Sequence, residues 1–533
     1  MVTRVGLYQN LRELPKVYRK ANRLAIQGQF DEARQLYLTV EATADPQLKS
    51  IITNDLAVLA AIYGDLAASK TAMEALLTLD SGYEPARLNA AILEAEHQVA
   101  PPDPASAVPA TLTSRPAPVR VAILSFLFNW PSTGGGIVHT VELAQFLARA
   151  GYEVRHFYPL RADWGIGRVH LLLPIDSGAI DFNDGLFDAN TIRDRFRRAI
   201  DAFAPDYVII TDAWNMKPIL AEAVRGYPYF LRFAALECLC PLNNLRLLPS
   251  ETGPPSQCPK HQLATPDACH RCLSHWGETS GDLHRLEREL AGVGTAEYDR
   301  SLRRALEGAE AVLVLNPATK VLLEPYASRV EVVPWGMDPA RFPWPAPEEP
   351  ALRSDPKLTT IFMAGLPGEY IKGFRVLHDA CQILRGFRSD FELVVTGDPP
   401  GRLDEFTRFV GWASQEDLPR HYRSSDICVV PTIAPDGLSR TSVEAMACGL
   451  PVVGSRIGGL PATITDGVTG LLFEPGDARD LAKKLAILLD DPALRERMGL
   501  AGRRRFEEDF PWETVIERHY RPLLARRDVA RVR

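Results

Sequence analysis

The sequence predicts an α/β protein with two domains that are each built around a parallel sheet, preceded by an all-helical domain. The chain has 533 residues, and single hydrophobic cores stop growing near about 250–300 residues. From residue 119 onward, short β-rich runs alternate with amphipathic helices, a pattern typical of parallel sheets. Residues 1–97 contain only segments with the apolar spacing of helices.

The bulk composition indicates an ordinary globular protein, with 46% hydrophobic and 24% charged residues. A net charge of −7 argues against a nucleic-acid partner, which normally meets a basic face. No stretch approaches the ~20 apolar residues needed to cross a bilayer, and charged residues interrupt Met1–Lys20 where a signal peptide would be apolar. We therefore expect a cytoplasmic protein whose membrane contact, through basic runs such as 526–533, is at most peripheral.

The helical segment contains two similar stretches, 28–33 and 64–68, whose glycines are 36 positions apart. This resembles tetratricopeptide repeats, whose period is about 34 residues; a helical bundle without a repeat type is the alternative. In either case we expect a module that docks a protein partner. Residues 98–118 are rich in proline and alanine and predict a linker.

The first α/β domain is expected over residues 119–333. It begins with a strand at 119–124, a glycine-rich turn at 132–136 and a helix at 139–150. Because glycine lets a backbone approach a ligand closely, Gly134 and Gly135 are candidate phosphate contacts, although a plain tight turn explains them as well. Further strands are predicted at 152–157 and 207–211.

The second α/β domain is expected over residues 334–508, followed by a closing segment, 509–533, with a helix at 514–524. Ligands of such folds lie at the carboxyl ends of the strands. The predicted strands are 360–364, 391–396, 427–431 and 451–455, and the predicted helices between them are 375–384, 416–424 and 442–448.

One segment of the second domain suits an anionic ligand. A buried strand, 427–431, leads into a loop with Asp436 and Gly437, and a helix opens near Thr441. The first amides of a helix lack intrahelical partners and carry a positive dipole, so they suit a phosphate. Glu444 follows in the first turn; since a carboxylate repels a phosphate, we expect it to face hydroxyl groups of the same ligand.

This segment resembles the signature of family 4 retaining glycosyltransferases, in which two acidic residues are separated by seven others. The resemblance extends over most of residues 119–523 and implies the GT-B fold, with two Rossmann-like domains that face a cleft. It further implies transfer of a sugar from a nucleoside-diphosphate sugar to a hydroxyl acceptor with retention. Other matching stretches, in their order along the chain, are 333–338, 372–373, 410–412, 458–459 and 466–472.

The resemblance also implies roles for single residues. Glu444 would hold the donor ribose, Asp436 would contact the transferred sugar as a catalytic residue, and Lys372 would neutralise the diphosphate as a point charge. The alternatives are an ordinary acid at a helix N-terminus and a surface lysine. The diphosphate would be cradled by the backbone of Gly437, Leu438, Ser439, Arg440 and Thr441.

The chain departs from the family pattern in three respects. The first acid of the pair is usually glutamate, and Asp436 has a reach shorter by roughly 1.5 Å. Leu366 stands where an arginine commonly follows the first strand of the second domain. Ala234 and Ala235 stand in place of a histidine–aspartate pair. Nearby Glu237 is therefore a candidate catalytic residue, with a structural or acceptor-contact role as the alternative.

Five of the eight cysteines lie between residues 238 and 272. Four thiolates could hold a structural Zn²⁺ tetrahedrally, with buried free thiols or disulfides as alternatives. A closed shell of four ligands leaves no open position, so we expect no cofactor in catalysis. The candidate ligands are Cys240, Cys258, Cys269 and Cys272.

Two other functions compete with glycosyl transfer. One is a catalytically degenerate GT-B protein that acts as a sugar-nucleotide-binding or repeat-domain scaffold, which the missing histidine–aspartate pair and arginine favour. Lys372, Asp436 and Glu444 oppose it. The other is a sugar-nucleotide epimerase of GT-B fold, which would form product without an acceptor.

Overall fold

The structure is a computed structural model, and it divides the chain into two compact units. One unit comprises Met1–Val208 with Ala223–Tyr227, and the other comprises Ile209–Glu222 with Pro228–Arg533. The described residues are 21, 30–41, 46–62, 66–79, 86–87, 89–90, 118–130, 135–169, 172–251, 255–277, 282–345, 352–401 and 405–525.

The N-terminal segment contains three described helices, α1 (Phe30–Glu41), α2 (Pro46–Ile62) and α3 (Leu66–Leu79). They share a small core of apolar side chains that recur at helical spacing. The two glycines of the repeat-like stretches and residues 98–117 lie outside the described residues, so the tetratricopeptide interpretation stays a prediction. The fully or nearly fully buried members of the core include Tyr37, Ile52, Val58, Met73 and Leu76.

The first sheet has seven strands in the order β3-β2-β1-β4-β5-β8-β9. The pairs β1–β2, β2–β3, β5–β8 and β8–β9 are parallel, and β4 is buried along its whole length, as expected for a strand covered on both faces. A short antiparallel hairpin, β6–β7, is separate from this sheet. The strands are β1 (Arg120–Leu124), β2 (Glu153–Leu160), β3 (Ser177–Asp181), β4 (Tyr207–Ile210), β5 (Tyr229–Phe233), β6 (Leu247–Leu248), β7 (Ser256–Gln257), β8 (Ala311–Val314) and β9 (Val330–Val332).

Helices connect these strands. The helix predicted after the glycine turn is α4, which begins at Gly135, four residues earlier than expected; residues 131–134 lie outside the described residues. The cysteine-rich stretch between β5 and β8 contains α7–α9 besides the hairpin. The helices are α4 (Gly135–Arg149), α5 (Ala189–Phe203), α6 (Lys217–Ala223), α7 (Pro266–Trp276), α8 (Asp282–Ala291), α9 (Ala296–Glu307) and α10 (Pro317–Leu323).

The second sheet has six strands in the order β12-β11-β10-β13-β14-β15, and every neighbouring pair is parallel. The predicted strands of this domain are confirmed to within two residues at each end. Together the two parallel Rossmann-like sheets confirm the predicted α/β class. The strands are β10 (Thr359–Met363), β11 (Phe391–Val395), β12 (Thr407–Phe409), β13 (Ile427–Val430), β14 (Val452–Ser455) and β15 (Gly470–Phe473).

The helices of the second domain bury one face each. In α11, the buried side chains Phe374, Leu377, Cys381 and Leu384 recur at three- and four-residue intervals, as in an amphipathic helix. They join the apolar core that also covers β10 and β11. The helices are α11 (Phe374–Arg385), α12 (Leu418–Arg423), α13 (Arg440–Ala447), α14 (Leu460–Thr463), α15 (Ala478–Asp490), α16 (Pro492–Asp509), α17 (Trp512–Val515) and α18 (Arg521–Leu523).

The closing segment is helical, as predicted, but it changes its winding. A π-helix, Ile516–Tyr520, separates α17 from α18. The segment is held to the junction before the second domain by two backbone hydrogen bonds, from Met337 N–H to Phe510 and from Trp512 N–H to Met337. The basic run 526–533 lies outside the described residues. No helix in the part of the chain that the structure describes is long and apolar enough to span a membrane.

Close packing against Trp512 explains why the junction motif has a glycine at position 336. A Cβ at this position would lie 2.1 Å from the ring of Trp512, which is fully buried. We predict that Gly336→Ala lowers the free energy of unfolding by about 1–3 kcal/mol, because the ring and backbone must shift. Urea denaturation measures this change. Gly401→Ala, whose Cβ would meet nothing within 4 Å, is the matched control, and an equal effect of both changes would contradict the packing argument.

Candidate functional site

The turn that carries Lys372 is fixed to the loop after β13. Ile433 N–H donates to the Ile371 carbonyl at 3.0 Å. Gly373 has a φ of +72°, and a Cβ there would lie 1.8 Å from the Pro431 carbonyl oxygen, so only glycine permits this approach. Within the described residues the Lys372 ammonium makes no hydrogen bond or ion pair. Its charge is therefore available to a ligand.

The same loop places Asp436 against two glycines. Gly459 N–H donates to the Asp436 carbonyl at 2.9 Å, and the Asp436 carboxylate accepts from Gly437 N–H at 2.8 Å. A Cβ on Gly458 would lie 2.5 Å from the Asp436 carbonyl oxygen, and one on Gly459 would lie 2.1 Å from the Gly437 carbonyl oxygen. The glycine pair that the sequence comparison singled out thus permits backbone to pack on backbone behind Asp436.

Glu444 lies on α13 and is buried. Its Oε2 accepts a hydrogen bond from the Tyr422 hydroxyl at 3.1 Å. Burial and the neighbouring Glu444 carboxylate hold the pKa of Tyr422 well above its usual range, so the hydroxyl stays a donor. The other oxygen, Oε1, is buried and accepts no hydrogen bond among the described residues. It forms an ion pair with Arg440, whose Nε lies 3.8 Å away. A buried carboxylate oxygen in this state suits a ligand hydroxyl.

The start of α13 has the features of an anion site. Ser439 caps the helix by accepting from Ser442 N–H at 3.2 Å, and the first amides of a helix direct positive dipole outward. Arg440 lies in this first turn, with its guanidinium 6.0 Å from the ring centroid of Trp335. Leu438 is buried in the core and Thr441 is half-buried in the first turn. The five residues predicted to cradle the diphosphate are therefore consecutive around one capped helix start.

Residues of the first sheet meet this loop at Gly437. Asn316, which follows β8, donates through Nδ2 to the Gly437 carbonyl at 2.6 Å and caps α10 through Oδ1. A Cβ on Gly437 would lie 2.0 Å from the Ala234 carbonyl oxygen, just after β5. Asn316 is not identified from the sequence. The Asn-Pro pair after a buried strand is a helix-start signal, but it does not reveal the contact with Gly437.

Glu237, the candidate catalytic residue, belongs to a buried ion pair. Its Oε2 lies 2.9 Å from Lys217 Nζ and accepts from Ala234 N–H at 3.2 Å. The Lys217 side chain is fully buried, and that of Glu237 is 3% exposed. Lys217 was not identified from the sequence. The contacts give Glu237 a role in holding the backbone at Ala234, and a role in proton transfer stays a prediction.

A second carboxyl group is buried close to this pair. Glu287 accepts from Asn215 through the backbone N–H at 2.6 Å and the side-chain amide at 3.2 Å. The Tyr298 hydroxyl donates to the Asn215 amide oxygen at 3.1 Å. Burial raises the pKa of Glu287 to about 8, so this carboxyl is protonated near neutral pH. Lys217 is then matched by one ionised carboxylate, Glu237.

The backbone around this network is strained. Asp212, Trp214 and Cys238 have φ angles of +42°, +38° and +58°, which cost of order 1–3 kcal/mol each for residues other than glycine. Asp212 and Trp214 follow β4, and Cys238 follows β5. The Cys238 thiol donates to the Trp214 carbonyl at 2.8 Å. The buried polar contacts therefore hold two strained loops at the carboxyl ends of adjacent strands.

Two further predicted features have different outcomes. Gly134 lies outside the described residues, while Gly135 is the first residue of α4, so the phosphate-contact role of these glycines stays a prediction. Leu366 is 40% exposed beside Gly365, whose N–H donates to Thr396 Oγ1 at 2.8 Å. At the position where the family pattern has an arginine, this chain thus has an exposed apolar side chain, just beyond the carboxyl end of β10.

The four candidate zinc ligands are free cysteines, and the thiol of Cys269 interacts electrostatically with the other three. Burial raises the pKa of Cys269 to about 11, and the thiols of Cys240, Cys258 and Cys272 raise it further. Cys240 Sγ accepts from Leu242 N–H at 3.4 Å. Yet among the described residues no group of three or more His, Cys, Asp or Glu side chains is arranged to hold a metal ion. The structural zinc stays a prediction, and no step of the chemistry is assigned to it.

Comparison with known proteins finds a family match within the second α/β domain. Residues 357–491 match the family described as Glycosyl transferases group 1. The D-inositol 3-phosphate glycosyltransferase of Arthrobacter sp. (strain FB24) is 32% identical over 232 residues, which are 39% of this chain and 54% of that protein. The glycogen synthase of Mycobacterium tuberculosis is 32% identical over 256 residues, 45% of this chain and 58% of that protein. The chain spans little more than half the length of these curated relatives.

Solved structures share the fold. The sucrose-phosphate synthase from Thermosynechococcus elongatus aligns with a TM-score of 0.51 at 20% identity, covering 76% of this chain and 99% of that one. The Anabaena protein HepE in complex with UDP and glucose aligns with a TM-score of 0.51 at 14% identity, with the same coverage. At these identities the likeness shows the fold alone.

The buried ion pair predicts a large cost for removing one partner. We expect Lys217→Met to lower the free energy of unfolding by about 3–5 kcal/mol, because it leaves the Glu237 carboxylate buried and unpaired. The double variant Lys217→Met/Glu237→Gln is expected to recover most of this loss, since glutamine still accepts from Ala234 N–H. Chemical denaturation measures both. Lys320→Met, which removes an exposed pair with Glu324, is the control; a similar small loss in both single variants would contradict the assignment.

The raised pKa of Glu287 predicts a pH-dependent stability. The folded protein keeps the proton up to pH about 8, whereas the unfolded chain releases it near the usual carboxyl value of 4.5. The folded state therefore binds more protons between these values, and stability falls as pH rises through that window. In thermal denaturation from pH 5 to 8, the advantage of the wild type over Glu287→Gln should shrink steadily. Glu289→Gln, an exposed change on the same helix, should show no such trend, and a pH-independent difference for Glu287→Gln would refute the assignment.

Proposed function

We propose that this protein is a glycosyltransferase that moves a sugar from a nucleoside-diphosphate sugar to a hydroxyl acceptor with retention of anomeric configuration. The observation that carries the proposal is the buried Oε1 of Glu444, which accepts no hydrogen bond among the described residues, beside the capped start of α13. The matched family and the named activities of the relatives support the same reaction class.

The donor is proposed to bind along the loop between β13 and α13. Its ribose would donate to Glu444 Oε1, and its diphosphate would lie between the first turn of α13 and the Lys372 ammonium. Asp436, six residues beyond the end of β13, would accept from a hydroxyl of the transferred sugar. The transferred sugar is proposed to be a hexose, with a nucleoside diphosphate as its carrier.

Transfer is proposed to use the departing phosphate as the base. The bond between the anomeric carbon and the diphosphate oxygen breaks, the acceptor oxygen bonds to the same face of that carbon, and the acceptor proton passes to the leaving oxygen. Lys372 and the helix dipole would stabilise the charge that develops on the diphosphate. Ala234 carries no side-chain base, and Glu237 is engaged by Lys217. Because the leaving phosphate oxygen takes the acceptor proton, this route needs no histidine.

The second candidate is a sugar-nucleotide-binding scaffold of the same fold. Ala234, Ala235 and Leu366 favour it, since each replaces a polar residue of the family pattern. In either case, α1–α3 are proposed to form a tetratricopeptide-like module for a protein partner, in a cytoplasmic protein. Turnover separates the two candidates, because the scaffold would bind the donor without consuming it.

Ligand-dependent thermal stability tests the donor site. We expect one class among UDP-, GDP- and ADP-sugars to stabilise the protein, by about 2.7 kcal/mol at a concentration ~100-fold above its dissociation constant. Glu444→Ala should remove most of this stabilisation, whereas Glu496→Ala, an exposed change on α16, should leave it intact. If no nucleotide sugar stabilises the wild type, both candidates fail. Stabilisation without hydrolysis or transfer would favour the scaffold.

A further inference from the structure

The loop between β2 and β3 contacts the N-terminal helical segment. It is described at 161–169 and 172–176. Leu172 N–H donates to the side-chain oxygen of Asn89 at 2.8 Å, and the Leu172 side chain packs against the core that α1–α3 share. Asn89 is fully buried, and its amide nitrogen donates to Asn54 Oδ1 at 2.9 Å. The side-chain amide of Asn89 thus accepts from the loop through its oxygen and donates to α2 through its nitrogen.

The same loop also packs on the residues that follow β1. Trp130 N–H donates to the Arg168 carbonyl at 2.7 Å, and the side-chain amide of Asn129 donates to the Gly165 carbonyl at 2.9 Å. Leu173, next to Leu172, packs with Trp130 against a separate apolar cluster. The adjacent side chains of Leu172 and Leu173 therefore pack against two different cores, that of the helical segment and the one beside Trp130.

Trp130 has the properties of a ligand contact. It lies beyond the carboxyl end of β1, the side on which Rossmann-type sheets bind ligands. Its indole ring is half-buried, and Nε1 is buried without a hydrogen-bond partner in the described part of the chain. Tryptophan combines a flat apolar face with one donor, a combination that suits a sugar ring bearing hydroxyl groups.

We propose that the N-terminal helices position the acceptor side of the enzyme, with Asn89 as the positioning residue. Asn89 fixes Leu172, the loop fixes Trp130, and Trp130 receives a carbohydrate hydroxyl acceptor. This rests on the proposed function for the identity of the ligand, but the mechanical link from Asn89 to Trp130 does not. An independent docking module would need no such link, because a flexible tether would serve it equally well.

Hydrogen exchange on the full chain tests the link. In Asn89→Ala, we expect amides of residues 125–130 and 172–176 to exchange about 5- to 10-fold faster, the effect of one lost buried hydrogen bond. Residues 427–447 should exchange unchanged. Asn54→Ala is the matched control. Like Asn89→Ala, it removes the hydrogen bond between Asn89 and Asn54, but it leaves Asn89 able to accept from Leu172 N–H. Faster exchange confined to residues 30–90 in both variants would overturn the proposal, even if the helices unfold.

A spectroscopic signal reports on Trp130 itself. In protein labelled with 5-fluorotryptophan, the Trp130 resonance is assigned by Trp130→Phe. We expect it to shift or broaden in Asn89→Ala and to stay in place in Asn54→Ala; an unmoved resonance in both would refute the link. Stabilisation by whichever of UDP, GDP and ADP stabilises the wild type, measured in the same variants, should equal that of the wild type. Absence of stabilisation by all three nucleotides in every protein, the wild type included, would reject the proposed donor site and leave the link standing.

Discussion

The candidate site depends on the close packing of backbone around Gly437. A Cβ on Gly437 would lie 2.0 Å from the Ala234 carbonyl oxygen, and a Cβ on Gly459 would lie 2.1 Å from the Gly437 carbonyl oxygen. Asn316 then binds that carbonyl at 2.6 Å. Because a peptide held from several sides cannot shift, Asp436 before it and α13 after it keep a fixed geometry. Such preorganisation is what lets a site act mainly by positioning and electrostatics.

The charges around this loop are arranged so that an anion can bind beside two carboxylates. Glu444 is turned into the core toward Tyr422, and the Asp436 carboxylate is engaged by Gly437 N–H, which leaves the helix start to the phosphate. The buried network behind β5 balances in the same way. Lys217 neutralises Glu237, and burial keeps a proton on Glu287. A second ionised carboxylate there would be unpaired and costly.

The second domain was predictable because its signals are local. The apolar run of β13 and the helical spacing in α11 lie within single elements, so their ends were found to within two residues. The contacts that complete the site are not local. Asn316 and Gly437 are 121 positions apart, and Asn215 and Glu287 are 72 apart. No spacing rule links such residues, since only the packed sheets bring them together. Lys217 was missed for this reason: in the sequence it looks like any helix lysine.

The loss of the histidine–aspartate pair becomes intelligible from the contacts of Ala234. Ala234 meets the loop between β13 and α13 through its carbonyl oxygen. Because a Cβ on Gly437 would clash with this oxygen, the approach requires glycine at position 437 whatever side chain residue 234 carries. Its N–H is taken by Glu237, so both backbone groups of the position are committed to holding the loop. Glu237 cannot also collect a proton without weakening its pair with Lys217. In the proposed reaction the proton acceptor is therefore the donor itself, whose phosphate gains negative charge as the sugar leaves. In the proposed reaction Ala234 and Ala235 supply no side-chain base, and the backbone of Ala234 helps to position the loop between β13 and α13.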